Sequence, residues 1–442
     1  MRLSVIGCGY LGAVHAAAMA SLGHEVIGID TDEHKINQLR RGNAPFFEPG
    51  LADLLRRGTA TGHLSFSTDI ADAAGADVHF VCVGTPQVKN GTAADLSMVN
   101  AAVAALIPHL EPGDVVAGKS TVPVGTAKDL AEQIHKTGAT LVWNPEFLRE
   151  GWAVKDTLEP DRMVVGLPSG TAAEAAESAE AAEARMREVY AQLLERDIPL
   201  VVTDYATAEL VKVAANAFLA TKISFINAMS EIAEVTGADV MQLADAIGMD
   251  QRIGRRYLGP GIGFGGGCLP KDIRAFATRA EELGLRDSVA FLHEVDAINL
   301  RRRDHAVDLV LDALDGAPLG KKVAVLGASF KPHSDDVRDS PALEVATRLH
   351  GLGAKVVVTD PQAIDNARIT FPQLSYAENL DDALRGSDVM LIVTEWDLYR
   401  RELTPEHAGS LVAHKRVVDG RNCLDPAVWR AAGWEYRGMG RP

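Results

Sequence analysis

The first thirty residues restrict the fold more than any other stretch. Residues 2–6 form an apolar, β-branched run, as a strand buried on both faces requires. Gly7-Cys8-Gly9-Tyr10-Leu11-Gly12 follows, then an alanine-rich helical stretch over residues 13–22, then a second strand over residues 25–29 that ends at Asp30. Strand, glycine turn, helix, strand and an acid about twenty residues on is the dinucleotide-binding pattern. Gly7, Gly9 and Gly12 permit the tight turn and let a pyrophosphate reach the helix N-terminus beside Tyr10 and Leu11. Asp30 is suited to accept hydrogen bonds from ribose hydroxyls and to repel a 2′-phosphate, which favours NAD over NADP.

The pattern starts again at Lys321. Lys322-Val323-Ala324-Val325-Leu326-Gly327 resembles Leu3-Ser4-Val5-Ile6-Gly7, and Lys355-Val356-Val357-Val358-Thr359-Asp360 resembles the second strand with its acid. The run from Asp388 to Val393 repeats that from Asp77 to Cys82. The new first loop, Ala328-Ser329-Phe330-Lys331, lacks the dinucleotide glycines, which points to a different phosphate ligand served by Lys331, Arg338 and Arg421. Between the repeats, residues 204–236 read as one helix without Pro or Gly that stops at Gly237. At about 1.5 Å per residue it is too long for one small domain and is expected to link two and to carry a subunit interface. The expected architecture is α/β: two Rossmann-like doubly wound domains (residues 1–203 and 317–442) joined by a central long-helix dimerisation domain (204–316).

Bulk properties narrow the class. A chain of 442 residues exceeds one core. A net charge of −16 argues against nucleic acid or an anionic membrane as the main partner. Cys8, Cys82, Cys268 and Cys423 make neither a disulfide framework nor a paired metal motif, so no metal is expected. Met1 leads straight into a strand with no signal-peptide pattern, and no apolar run has membrane-spanning length. A reducing cytoplasm is the expected location.

The chemistry centres on Gly261-Ile262-Gly263-Phe264-Gly265-Gly266-Gly267-Cys268-Leu269-Pro270-Lys271-Asp272. Five glycines in seven residues exclude a helix or strand interior and let the backbone approach something closely. Pro270 suits a helix start, so Cys268 stands where unpaired amides and the helix dipole favour a thiolate. Asp272 brings a carboxylate four residues on and Lys271 a cation, the makings of a nucleophile with an acid/base group. The plainer reading is a structural turn with an inert cysteine. On the long helix, Lys212 and Asn216 share a face among apolar neighbours. A lysine enclosed there suits an oxyanion donor or an acid/base group. Strand-like runs at residues 78–83, 115–117 and 141–143 end at polar clusters, the edge where open parallel sheets bind ligands. Thr85 and Thr121 in these clusters are read evenly as helix caps or as site residues. Residues 170–195, rich in Ala and Glu, read as a solvated surface helix.

These motifs resemble the UDP-glucose/GDP-mannose dehydrogenase family along essentially the whole chain. The residues that carry the likeness are Gly7–Gly12 with Asp30, Gly84-Thr85-Pro86, Ser120-Thr121-Val122-Pro123, Asn144 to Glu150, Lys212 with Asn216, Gly263 to Asp272, and Asp419-Gly420-Arg421-Asn422. The resemblance implies oxidation of C6 of a nucleotide sugar to the acid with two NAD, through a Cys268 thiohemiacetal and thioester. It gives Lys212, Asn216 and Asp272 acid/base and oxyanion roles, and assigns Glu150, Thr121 and Asp272 to the hydrolytic water. It places Lys35, Thr85, Thr121, Glu150 and Arg338 near NAD. It places Glu146, Phe147, Leu148, Lys212, Asn216, Tyr257, Gly265, Lys331 and Arg421 near the sugar nucleotide, with Arg252 reaching in from the partner of a homodimer. The overall pattern and Glu395-Trp396-Asp397 look more like the branch acting on UDP-glucose than that acting on GDP-mannose.

Overall fold

The computed structural model describes residues 1–169 and 173–442. Gly170, Thr171 and Ala172, the start of the expected solvated helix, lie outside the described residues. The chain divides into two compact units, Met1–Ala215 and Asn216–Pro442.

The first unit holds an eight-stranded sheet: β1 (Arg2–Ile6), β2 (Glu25–Ile29), β3 (Leu64–Ser67), β4 (Val78–Val81), β5 (Val115–Gly118), β6 (Thr140–Trp143), β7 (Met163–Leu167) and β8 (Leu200–Asp204). Their order is β3-β2-β1-β4-β5-β6-β7-β8. All described neighbours run parallel except β6 and β7, which meet antiparallel at Trp143 and Gly166. The order reverses between β1 and β4, and the crevice above such a switch point is where doubly wound sheets take ligands. Apolar clusters cover both faces. The first helix, Tyr10–Ser21, is rich in alanine because it lies close on the sheet: Ala13, Ala16 and Ala17 are buried. At its start a methyl on Gly12 would collide with the Gly7 carbonyl oxygen.

Two expectations need correction. Sequence reading passed over β3 and β7 in this sheet, although Gly62 stands before the first and Pro160-Asp161 before the second. The helix Ala173–Val189 is not wholly solvated, because Ala182, Met186 and Val189 are buried in the core.

The long helix, Tyr205–Thr236, crosses the boundary and continues as the first element of the second unit. Helices Val240–Gly248, Leu269–Glu282 and Ala290–Ala313 follow. Then comes a six-stranded, all-parallel sheet of β9 (Lys322–Leu326), β10 (Lys355–Thr359), β11 (Ser375–Tyr376), β12 (Val389–Ile392), β13 (Arg416–Asp419) and β14 (Glu435–Gly438), ordered β11-β10-β9-β12-β13-β14. The centre of the unit packs through Ala217, Ala220, Phe264, Ile273 and Leu292. On the long helix Phe218, Phe225 and Ile232 recur at seven-residue spacing and are 67%, 48% and 55% exposed, one apolar stripe on one face. Among the described residues no helix is long and apolar enough to cross a membrane.

Gly12→Ala is expected to destabilise the first unit by about 1–3 kcal/mol through overpacking against a carbonyl that cannot retreat. A lowered thermal midpoint together with weakened NAD binding is the outcome to measure.

Candidate active site

In the first unit the dinucleotide turn is built as its glycines require. Gly7 takes φ +90° and its N–H donates to Ile29 O at 2.7 Å. Gly9 is the N-cap of the first helix and supplies no side-chain cap. A Cβ built on Gly9 meets nothing within 4 Å, so the helix amides open onto space that suits a pyrophosphate. Asp30 accepts from Cys8 N at 2.8 Å and from Lys35 Nζ at 2.8 Å. Lys35 thus joins the cluster that the resemblance assigned to NAD. Leu11 is half-buried on the same helix, and the Tyr10 hydroxyl is engaged by Glu48. The residues present fit a dinucleotide.

Neither threonine of the sheet edge caps a helix. The helices that follow them start at Ser97 and Thr126, with Leu96 and Gly125 as N-caps, and Thr85 Oγ1 instead donates to Thr121 O at 2.7 Å, tying the end of β4 to that of β5. After β6 the chain brings Glu146, Phe147 and Leu148 together: Glu146 Oε2 accepts from Leu148 N at 2.7 Å, and Glu146 Oε1 accepts from Lys212 Nζ at 3.1 Å. Lys212 is 4% exposed, as its apolar surroundings predicted. Its charge is matched by that carboxylate and by the face of Phe147, 5.5 Å away. The other cation on this ring is Arg162, 3.8 Å from the centroid. Glu150 is buried at the end of the same loop.

In the second unit Cys268 is exposed at the N-cap of Leu269–Glu282, with Pro270 in the first turn. Asp272 N donates to Cys268 O at 2.9 Å, which sets the carboxylate one turn beyond the sulfur. Asp272 is 3% exposed and accepts from Asn216 Nδ2 at 2.7 Å and from Lys271 Nζ at 2.6 Å. The glycines do let the backbone approach something closely, but it is the protein itself. Gly265 lies against Asp339 O, Gly266 (φ +87°) against the Phe330 ring and Gly267 against the Arg338 guanidinium. Asn299 pairs with both backbone groups of Phe264, accepting its N–H at 2.7 Å and donating to its carbonyl at 2.9 Å.

The second-unit residues that the resemblance assigned to ligands are differently placed. Arg421 lies against the glycine loop, donating to Gly263 O at 2.8 Å, Phe330 O at 3.1 Å and Val393 O at 2.8 Å. Lys331 lies over the Phe330 ring, and Arg338 is forked onto Asp336. Tyr257 sits at φ +65°, a conformation rare outside glycine. Arg252 stands apart from these, exposed and bonded to Asp250.

Two other clusters resemble sites and are not. A cavity of about 800 Å³ beyond β10 is lined by Asp360, Glu378, Asp381, Asp382 and Glu402 against Arg385 and His407, a net negative lining that disfavours a diphosphate. Ser4 Oγ, His79 and Asp114 are chained at 2.8 and 3.4 Å, yet Ser4 and His79 are wholly buried within the sheet, where no substrate can reach.

Three family descriptions match. Residues 1–194 match the NAD binding domain of the UDP-glucose/GDP-mannose dehydrogenase family, residues 206–301 its central domain and residues 324–426 its UDP binding domain. The chain belongs to the UDP-glucose/GDP-mannose dehydrogenase family. UDP-glucose 6-dehydrogenase YwqF of Bacillus subtilis is 41% identical, with all of this chain and 98% of the relative covered. UDP-glucose 6-dehydrogenase of Rhizobium meliloti is 40% identical with both covered in full. A solved UDP-glucose dehydrogenase from Pyrobaculum islandicum superposes with TM-score 0.89 at 38% identity, covering 100% of this chain and 98% of that one. The chain is therefore an NAD-dependent oxidoreductase of this family, with NAD as its cofactor.

Sequence reasoning about this dehydrogenase missed Lys119. It precedes Ser120-Thr121 and reads as an ordinary cation at a strand end, yet it is 6% exposed. Its Nζ donates to Asn144 Oδ1 at 2.9 Å, and Tyr190 donates to the same oxygen at 2.6 Å. The partners come from β6 and from beyond β7, too far along the chain to be linked by spacing. Glu209 was missed likewise; it accepts from Gly125 N at 2.8 Å and Ala127 N at 2.7 Å, capping the helix Thr126–Ile134. The remaining cysteines are inert: burial pushes the Cys82 thiol up to about 12 and Cys8 well up, and Cys423 is raised by burial and by Asp419.

Burial lowers the Lys119 ammonium from 10.5 to about 8. Between those values the unfolded chain holds a proton that the folded chain has released, so this group makes stability rise with pH across that window. Lys119→Met is expected to flatten the rise of the thermal midpoint between pH 8 and 10 relative to the unaltered protein.

Proposed function

We propose that the protein oxidises UDP-glucose to UDP-glucuronate in two successive NAD-dependent steps, with Cys268 as the covalent nucleophile. The observation that carries this reading is the exposed Cys268 at a helix start, one turn from a buried Asp272 held by Asn216 and Lys271. The names of relatives at 40–41% identity over the whole chain support the substrate.

NAD, when bound, removes a hydride from C6 at each oxidation. The protein's part is as follows. Water held by Asp272 and Lys212 takes the proton of the C6 hydroxyl as the alcohol becomes an aldehyde. Cys268 sulfur then bonds to C6 to give a thiohemiacetal, and Lys212 and Asn216, one turn apart on the long helix, stabilise the oxygen as it gains charge. Loss of the second hydride leaves a thioester. Water assisted by Glu150, Thr121 and Asp272 cleaves the C–S bond, giving the carboxylate and restoring the thiol. One UDP-glucose and one water are thus consumed for two NADH.

The supporting roles follow the same reading. Asp30, Lys35, Thr85, Thr121, Glu150 and Arg338 serve NAD. Glu146, Phe147, Leu148, Tyr257, Gly265, Lys331 and Arg421 serve the sugar nucleotide. We further infer three domains with boundaries near residues 203 and 316, a cytoplasmic location, and a homodimer formed through the Phe218–Phe225–Ile232 stripe, with Arg252 lent to the neighbouring site. The exposed apolar stripe supports the dimer, because a lone helix face of this kind is stabilised by burial against a partner.

An NADH assay with UDP-glucose and GDP-mannose side by side should show turnover with the first, at two NADH per sugar. Turnover confined to GDP-mannose overturns the substrate. Cys268→Ser should stop release of acid while UDP-glucose still binds, and full turnover by that variant removes the thioester route. Sedimentation of Phe218→Glu/Phe225→Glu should give a monomer where the unaltered chain gives a dimer.

A further inference from the structure

Glu48 lies in the Phe46-Phe47-Glu48-Pro49-Gly50 loop, a segment to which the reaction above gives no role. It is 6% exposed, and four donors from two distant segments converge on its carboxylate. Tyr10 donates its hydroxyl to Oε2. Gly151 N donates to the same oxygen at 2.7 Å, and Ala153 N to Oε1 at 2.8 Å, with Val154 N at 3.4 Å. Gly151 N also lies 2.9 Å from the Tyr10 hydroxyl, which closes the network, and the Tyr10 ring packs on Phe46 with centroids 4.6 Å apart.

The placement of the two ends is what gives this node a purpose. Tyr10 is the first residue of the helix whose N-terminus faces the dinucleotide space. Gly151 (φ +77°) is the residue after Glu150, the carboxylate assigned to the hydrolytic water. A surface loop needs no buried acid to hold it, and burying a carboxylate is unfavourable unless its oxygens are fully bonded. Here every bond goes either to the cofactor turn or to the backbone that carries Glu150.

We propose that Glu48 is a positioning residue that couples the cofactor turn, through Tyr10, to the orientation of Glu150. The proposal rests on the reading of Glu150 given above. Burial raises the Glu48 carboxyl and, with Glu48 itself, pushes the Tyr10 phenol up, so the tyrosine keeps its proton for this bond throughout the working pH range.

The test is a double-mutant cycle read alongside hydrogen exchange. Glu48→Ala should lower kcat about 10- to 100-fold, the scale of a small misplacement of a reacting group, with UDP-glucose affinity changed less than threefold. Glu48→Ala/Glu150→Gln should be no slower than Glu150→Gln alone, since residues acting as a unit are not additive. Losses that multiply, or a Glu48→Ala kcat within twofold of the unaltered enzyme, overturn the proposal. If Glu48→Ala does not fold, Glu48→Gln, which keeps one oxygen for Ala153 N, takes its place in the cycle. Exchange is independent of turnover: NADH should protect the amides of residues 150–154 in the unaltered protein and not in Tyr10→Phe. Equal protection in both overturns the coupling. An unaltered protein that oxidises no nucleotide sugar yet shows the protection difference overturns the proposed reaction and leaves the Tyr10–Glu48 link standing.

Discussion

The Cys268 region of the second unit depends on a buried carboxylate. Asp272 is almost wholly removed from water, where an unpaired charge would be strongly destabilising. Asn216 and Lys271 each take one of its oxygens, and its own N–H is committed to Cys268 O. The Asn216 bond ties the long helix to the start of Leu269–Glu282, and the other two hold the acid within that helix start beside Cys268. The acid cannot shift without uncapping the helix start on which the cysteine stands. The glycine loop supplies the other half of the constraint. Residues 261–266 are buried, Gly267 is half-buried and Cys268 emerges. Gly265, Gly266 and Gly267 lie flat against Asp339, Phe330 and Arg338, so the chain has one way out, and the sulfur is at the exit.

The two sheets show how one pattern is turned to two uses. Both have an acid after the second strand that accepts from the first loop: Cys8 N meets Asp30 at 2.8 Å, and Ala328 N meets Asp360 at 2.8 Å. Asp30 stands beside an open helix start. Asp360 is 4% exposed and also takes Ser329 N, Ser329 Oγ, Trp396 Nε1, Gln362 N and Ala363 N. Its oxygens have no capacity left for a ribose. In the second sheet the acid serves as a loop staple, and residues 324–426 match a UDP binding domain.

Much of this was legible in the chain because it is local. The dinucleotide turn, the helix start at Pro270, the Lys212–Asn216 pair and the restart at Lys321 each lie within a few residues, where backbone sterics and helical spacing decide the outcome. The class of the fold followed from strand–helix alternation. What escaped notice is long-range. Lys119 finds Asn144 and Tyr190, Glu48 finds Tyr10 and Gly151, and Asn299 finds Phe264, each across tens of residues with no spacing rule to join them. The target of the glycine loop was not legible for the same reason. Close approach was inferred correctly from the missing side chains, but its target, the 328–341 loop, is set by tertiary packing. β3, Leu-Ser-Phe-Ser, has no β-branched residue and β7 carries Gly166 inside it, so each departs from the apolar run that marked β4 and β6 at similar length.

Charge balance limits how the cations around the glycine loop of the second unit can act. A chain of net charge −16 repels a nucleotide sugar at long range, so attraction must be local. Of the cations near the glycine loop, Arg338 is forked onto Asp336 at 2.7–3.0 Å, and that carboxylate cancels most of its field. Arg421 is held differently. Three of its N–H groups reach the neutral carbonyls of Gly263, Phe330 and Val393, which fix the guanidinium without neutralising it, and Glu395 at 3.3 Å is its one carboxylate contact among the described residues. Carbonyl clamping orders the half-buried guanidinium, and Glu395 offsets part of its charge as Asp336 offsets that of Arg338. The same bonds brace Gly263, five residues before the thiol.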